Sequence, residues 1–170
     1  MEPTHVLTES VMSIGTLAEK VGLSESAIRK YENASLIIAD RTPSGHRRFA
    51  HEDIDRVRNI QRMIQVLGIS IEGIRRLQAL LPCWDLLPCS KEKREKCQAY
   101  ADNTRPCWMI KGLDCLPSHG NECRECLVYR FGSLCTEEIK SLVYDQARFK
   151  DGSAAIKHLM ERRRQCRKED

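Results

Sequence analysis

Ser13-Ile14-Gly15-Thr16-Leu17-Ala18-Glu19-Lys20-Val21-Gly22-Leu23-Ser24-Glu25-Ser26-Ala27-Ile28-Arg29-Lys30-Tyr31 decides the fold of the first half of this chain. Ile14, Leu17, Ala18 and Val21 recur at helical spacing, and Gly22 follows them as a C-terminal stop. Ser24 is a good N-cap, and Ala27, Ile28 and Tyr31 share one face of a second short helix. Two helices around a Gly-Leu-Ser turn make a helix-turn-helix. Such a unit offers its second helix to the major groove of DNA, which makes the outward Glu25, Ser26, Arg29 and Lys30 candidate contacts.

Downstream, Leu36-Ile37-Ile38 and Arg47-Arg48-Phe49 flank a polar stretch punctuated by Pro43 and Gly45. Two short strands around such a turn read as a β-hairpin wing. Its guanidinium and imidazole groups, Arg41, His46, Arg47 and Arg48, are candidates for phosphate contacts. A second helical pair follows. Ile54, Val57, Ile60, Ile64 and Leu67 mark one helix that Gly68 stops, and Ser70 caps another bearing Ile71, Ile74, Leu77 and Leu80.

The order of these motifs resembles the MerR family of bacterial transcription regulators. Four runs carry the resemblance: Ser13-Ile14-Gly15-Thr16-Leu17-Ala18, Ile28-Arg29-Lys30-Tyr31-Glu32, Ser44-Gly45-His46-Arg47-Arg48-Phe49, and Leu67-Gly68-Ile69-Ser70-Ile71-Glu72-Gly73-Ile74. The resemblance covers residues 12–81. It implies a winged helix-turn-helix that binds inverted-repeat operators in double-stranded DNA as a homodimer, remodels promoter geometry and meets RNA polymerase there. It also implies that Arg29, Tyr31 and Arg47 face DNA. Ser26-Ala27 stands where the family commonly has Arg-Thr, and Asn33-Ala34-Ser35-Leu36 lacks the glycine usual before that leucine.

Eight of the nine cysteines fall between Cys83 and Cys135, where helical periodicity fades and Pro82, Pro88, Pro106 and Pro117 interrupt the chain. About fifty residues bury little core on their own, so a segment of this kind needs a metal or another cross-link. An internal repeat runs through it. Pro82-Cys83-Trp84, Cys89, Cys97 and Tyr100 are echoed by Pro106-Cys107-Trp108, Cys115, Cys126 and Tyr129. The doubling suggests two similar half-sites facing each other, with Cys123 and Cys135 as additions that complete the ligand count at eight, enough for two four-thiolate sites or one site with spares. The repeated Cys-Trp units resemble a small bacterial module known as two-CW, over residues 82–129.

The ligand expectation is that Cys83, Cys89, Cys97, Cys107, Cys115, Cys123, Cys126 and Cys135 bind an iron-sulfur cluster or Zn2+. Zinc ligands commonly come as Cys-x-x-Cys pairs, and Cys123-Arg124-Glu125-Cys126 alone has that spacing. The looser intervals equally suit a cluster held by four thiolates. Trp84 and Trp108 read as shields over the site, His119 as an exposed loop residue, and Cys166 as lying outside the ligand set.

Beyond the cysteines, Ile139, Leu142, Phe149, Ile156 and Met160 fit a heptad-like face over residues 136–168, with Thr136 as N-cap. The stripe is read as a dimer contact or, alternatively, as a helix folded back on the module. The whole is expected to be mainly α: a winged helix-turn-helix head (12–81), a metal-stapled cysteine module (82–135) and a C-terminal helix (136–168).

The formal net charge of +4 is modest, but basic residues cluster at 41–48, 56–62 and 162–168, which favours a polyanionic partner. No window approaches the roughly 18 to 20 apolar residues of a membrane span, and the start lacks a basic run followed by an apolar one. A cytoplasmic chain with no membrane partner is expected. In a reducing compartment nine cysteines favour metal binding or redox sensing over a disulfide scaffold. The expected function is therefore a regulator sensing redox state, iron or another metal, and not an enzyme. The alternatives are a constitutive regulator with structural zinc and a thiol oxidoreductase using Cys123 and Cys126, for which no βαβ pattern is present.

Overall fold

Residues 12–87, 89–102, 104–113, 115, 123–124 and 126–132 are described by a computed structural model of the chain. The chain divides into two compact units after Arg75. Within the first, helices α1 (Ile14–Val21) and α2 (Glu25–Asn33) form the helix-turn-helix. Their limits follow from local chemistry. The Ser13 hydroxyl accepts the Thr16 N–H at 3.2 Å, and the Ser24 hydroxyl accepts the Ala27 N–H at 3.3 Å. Gly22 closes α1 at φ 67°, a conformation a side chain would strain, and the Leu23 N–H reaches back to the Ala18 carbonyl at 2.9 Å.

The end of α2 uses the same device without a glycine. Ser35 sits at φ 58° while the Leu36 N–H bonds the Tyr31 carbonyl at 3.0 Å. Left-handed backbone costs an L-residue about 1 to 2 kcal/mol. Ser35→Gly is therefore expected to raise stability by about 1 kcal/mol, read as a higher thermal midpoint for the first unit. A lowered midpoint would show that the Ser35 side chain holds more than its backbone costs.

The wing differs in placement from the sequence expectation. Its strands are β1 (Asp40–Arg41) and β2 (Arg47–Arg48), paired antiparallel with Asp40 opposite Arg48 and Arg41 opposite Arg47. Leu36-Ile37-Ile38 is not a strand. Leu36 and Ile37 are both buried, and consecutive residues of a strand cannot both face one core. Phe49 extends the hairpin by a bridge to Met12, with N–H to carbonyl distances of 2.9 and 3.0 Å.

Helix α3 (Glu52–Gln65) packs on α1 and buries Val57, Ile60 and Met63. It stops before Leu67, which was expected on the apolar face and is instead 46% exposed. Met63 takes the corresponding core position. Two buried charged groups tie α3 to the chain on either side of the wing. Asp53 accepts the Ala50 N–H at 2.8 Å, and Arg56 donates to the Leu36 carbonyl at 3.2 Å. Helix α4 (Ile71–Ala79) is capped by Ser70, whose hydroxyl accepts the Gly73 N–H at 3.0 Å, and it contributes the fully buried Ile74. Leu80, expected on the same apolar stripe, follows the end of α4 and is exposed.

The second unit is built of much shorter pieces: α5 (Cys83–Leu86), α6 (Lys91–Glu95), α7 (Gln98–Ala101), a 3-10 turn at Cys107–Met109, and α8 (Leu127–Phe131). Leu81, Leu86 and Val128 form its buried cluster, with Cys83, Cys107, Trp108 and Cys126 packed partly buried against them. Gln78 donates to the Gly132 carbonyl at 2.9 Å, and a Cβ on Gly132 would come within 2.7 Å of the Trp108 ring. The residues joining the two sequence copies are tied by Asp102, which accepts the Thr104 N–H and hydroxyl at 2.8 and 2.6 Å and the Arg105 Nε at 2.8 Å. Those donors hold the Asp102 carboxyl well below its ordinary range. No helix among the described residues is long and apolar enough to cross a membrane. The C-terminal helix expected over 136–168 lies outside the described residues.

Candidate DNA interface and thiolate site

Helix α2 presents Ser26, Arg29 and Lys30 to solvent, as an element offered to a groove requires. Arg29 is held in place by Glu25 one turn earlier, at 2.9 Å. Tyr31 differs from this set. It is 7% exposed within the first unit's core, and burial pushes its hydroxyl pKa up. The expected contact residue is thus a packing residue in this geometry, because it falls on the Ile28 face of the helix.

Arg41 and Arg47 of the wing converge on one carboxylate at the end of α2. Glu32 accepts Arg41 at 3.2 Å through one oxygen and the Nε of Arg47 through the other. Arg41 also donates to the Gly45 carbonyl at 3.2 Å, closing the turn, and the His46 N–H bonds the Thr42 hydroxyl at 3.0 Å. Charge-assisted bonds of this kind fix geometry strongly. Glu32 therefore couples recognition helix and wing into one surface, with Arg48 and His46 exposed beside it. Sequence reasoning placed Glu32 in a motif but gave it no role, because a carboxylate near a DNA face reads as repulsive until its two guanidinium partners are seen.

The described cysteines gather in the second unit. Cys83, Cys89, Cys97, Cys107, Cys115, Cys123 and Cys126 all line one cavity of about 480 Å³, and all are half-buried free thiols. Cys135 and His119 lie outside the described residues. Burial, followed by the neighbouring thiolates Cys97, Cys89, Cys115 and Cys126, pushes Cys83 up to about 12. Burial and then Cys83 and Cys126 push Cys107 up further, and burial also raises Cys115 and Cys126. A redox nucleophile needs a depressed thiol pKa, and Cys126 moves the other way despite backbone N–H groups that favour its thiolate. Thiols gathered around one space, repelling one another when ionised, suit a soft cation. Among the described residues, no three His, Cys, Asp or Glu side chains converge closely enough to hold an ion at one point. The thiols ring a space.

The segment that forms the capped helix pair and the hairpin is similar to known proteins. Residues 12–81 match the family described as MerR HTH family regulatory protein. They are a MerR-family helix-turn-helix domain. The chain is 41% identical over 69 residues to HTH-type transcriptional regulator HmrR of Rhizobium leguminosarum bv. viciae, covering 41% of this chain and 53% of that protein. It is 40% identical over 65 residues to the mercuric resistance operon regulatory protein of Bacillus cereus, covering 38% and 48%. A third relative, the HTH-type transcriptional activator SoxR homolog of Chromobacterium violaceum, is 37% identical over 76 residues, covering 45% and 51%. The chain thus spans about half the length of these relatives. No solved structure matches it.

The MerR-family domain contains Ser26, Arg29, Lys30, Tyr31, Arg41, His46, Arg47 and Arg48, together with the Glu32 latch. None of the cysteines lies within it. The thiol-lined cavity therefore lies outside the matched segment.

Proposed function

We propose that the chain is a DNA-binding transcription regulator of the MerR type whose cysteine module holds a thiolate-bound metal group and reports redox state, iron or another metal. The observation that carries this reading is the gathering of seven thiols in one cavity behind a MerR-family domain. The partners are double-stranded DNA carrying an inverted repeat, a second copy of the chain, and RNA polymerase at the promoter; the compartment is the cytoplasm. Ser26, Arg29 and Lys30 meet the groove, while Arg41, His46, Arg47 and Arg48 meet phosphates.

An iron-sulfur cluster held in the cavity would change its charge and ligation when oxidised or lost, and a Zn2+ site would change when its thiolates are oxidised or its ion is lost. The chain's residues do the rest. Half-buried thiols hold the group, and Trp108 on the cavity wall limits the approach of water, whereas Trp84, expected as a second shield, does not line the cavity. The test is anaerobic purification with metal and sulfide analysis, then selection of bound sequences from a random duplex pool before and after oxidation. A state-dependent affinity supports sensing. Identical affinity in all states would favour a constitutive regulator with structural metal.

Arg47→Ala is expected to weaken DNA binding roughly tenfold and to lower the salt slope by about 1, since one phosphate contact would be lost. Unchanged affinity and slope in a salt titration would remove Arg47 from the interface and leave it as the wing's tie to Glu32.

A further inference from the structure

Arg41 and Arg47 stand directly opposite each other in the β1–β2 hairpin, so their side chains leave the same face of the ladder. Like charges in that relation repel and splay apart. On the other face Asp40 is opposite Arg48, a complementary pair. The repulsion between the two arginines is met from outside the hairpin, by the carboxylate of Glu32 in the last turn of α2, whose two oxygens take one guanidinium each. The Glu32 side chain is 15% exposed. Its backbone is also held where α2 ends, because the Ser35 N–H bonds the Glu32 carbonyl at 2.8 Å.

One carboxylate between two guanidiniums leaves the group a surplus of one positive charge. Charge alone makes Glu32 a handicap on a surface that meets a polyanion, since unspecific attraction to DNA follows the number of phosphates neutralised. Geometry argues the other way. Arg47 gives Glu32 its Nε–H, so the donors of its two terminal nitrogens are left for an outside oxygen, and a side chain held through Nε is ordered before a phosphate arrives. Arg41 is braced at both terminal nitrogens, by the Gly45 carbonyl and by Glu32, at 3.2 Å each. Phosphate contacts set the register of a protein on DNA, and base contacts read the sequence. Glu32 lies on the helix that carries Ser26, Arg29 and Lys30 and grips the wing, so it fixes the spacing between the two kinds of contact.

We propose that Glu32 is a specificity-determining positioning residue, which lowers the unspecific attraction of this surface for DNA and holds Arg41 and Arg47 in register with α2. The inference rests on the reading of α2 and the wing as the DNA-binding surface and adds the residue that joins them. Its signature is a sign. Removing this negative charge weakens binding to the recognised sequence, while binding to unrelated duplex holds or tightens.

The experiment measures the affinity of the full chain as isolated for two duplexes of equal length and composition, one selected from a random pool by the unaltered chain and one scrambled, over a series of salt concentrations. Glu32→Gln should bind the selected duplex about tenfold more weakly, the scale of one lost specific contact, with no loss on the scrambled one. Glu32→Asp keeps the charge and shortens the arm, so it should lose discrimination as well. In a chain carrying Arg41→Ala and Arg47→Ala, Glu32→Gln should no longer lower the ratio of the two affinities, because its partners are gone. Tighter binding of Glu32→Gln to both duplexes, an equal loss on both, or a Glu32→Asp chain that matches the unaltered one would each overturn the proposal. If the Glu32 variants fail to fold, nuclear magnetic resonance of the unaltered chain decides. The Arg47 Nε–H should be protected from exchange both free and on the selected duplex, and immediate exchange in either state would overturn the proposal. Unchanged affinity and salt slope for Arg41→Ala with Arg47→Ala would sink the reading of the wing as a phosphate contact. Weakened binding there beside an unaffected Glu32→Gln would sink the proposal alone.

Discussion

Chelation of the reduced full chain should unfold the segment 82–132 while the MerR-family domain stays folded. The two units rest on different supports. In the domain Leu17, Ile28, Leu36, Phe49, Val57, Ile60 and Ile74 are sealed from solvent, and α3 is long enough to bury a continuous stripe. The module's buried cluster is Leu81, Leu86 and Val128, and its helices run to four or five residues. Helices that short are unstable alone, because nucleation fixes several residues for one hydrogen bond. Structural zinc contributes roughly 10 to 16 kcal/mol of apparent binding energy in small peptides, as much as the whole stability of a typical domain. Metal loss should therefore remove the module's fold outright. Both tryptophans, Trp84 and Trp108, lie in the module, so a red shift of tryptophan emission reports it without interference from the domain. Hydrogen exchange supplies the other half. Amides around Tyr100 and Tyr129 should exchange at once after chelation, and those around Val57 and Ile60 should not. Protected module amides in metal-free protein would show that the three apolar residues and the aromatic pairs suffice.

Much of the domain was legible because its signals are local. Caps at Ser13 and Ser24, the stop at Gly22 and the spacing of Leu17, Ala18, Val21 and Ile28 depend on neighbours a few residues away. The misplacements share a cause in longer-range packing. Leu36 and Ile37 have strand chemistry, yet the core draws in both, which no strand can satisfy. Asp53 and Arg56 read as surface charge on an amphipathic helix, and their burial is visible only when Ala50 and the Leu36 carbonyl arrive beside them. Glu32 acquires its role only when the hairpin folds back. In the module the repeat was legible residue by residue, but that both copies open on one cavity is a property of the three-dimensional arrangement. Which metal sits among thiols is chemistry that spacing does not encode, since zinc and iron-sulfur clusters are both held by cysteine sulfur.

Phe49→Ala should be the most damaging single substitution in the MerR-family domain. Phe49 is 0% exposed and is among the largest fully buried side chains of the described residues. It also follows β2 directly, so its backbone bonds to Met12 anchor the wing at the point where Arg47 and Arg48 emerge. Truncating a buried phenylalanine costs about 3 to 5 kcal/mol through lost transfer energy and the cavity left behind. A domain of this size has about 5 kcal/mol or little more to lose, so much of the population should be unfolded or near its midpoint at room temperature. Thermal unfolding of the full chain, read by exchange of the α1 to α3 amides, should show the domain's midpoint fall by more than 10 °C, at about 4 to 8 °C per kcal/mol. Leu80→Ala offers the contrast, since Leu80 is 54% exposed and should change stability by less than about 0.5 kcal/mol. DNA affinity separates two contributions. At a temperature where the variant is still mostly folded, a loss of binding beyond the unfolded fraction would mean that Phe49 also sets the wing's position, because the Arg47 and Arg48 backbone hangs from it. A loss equal to that fraction would leave wing placement to Glu32 and its two arginines.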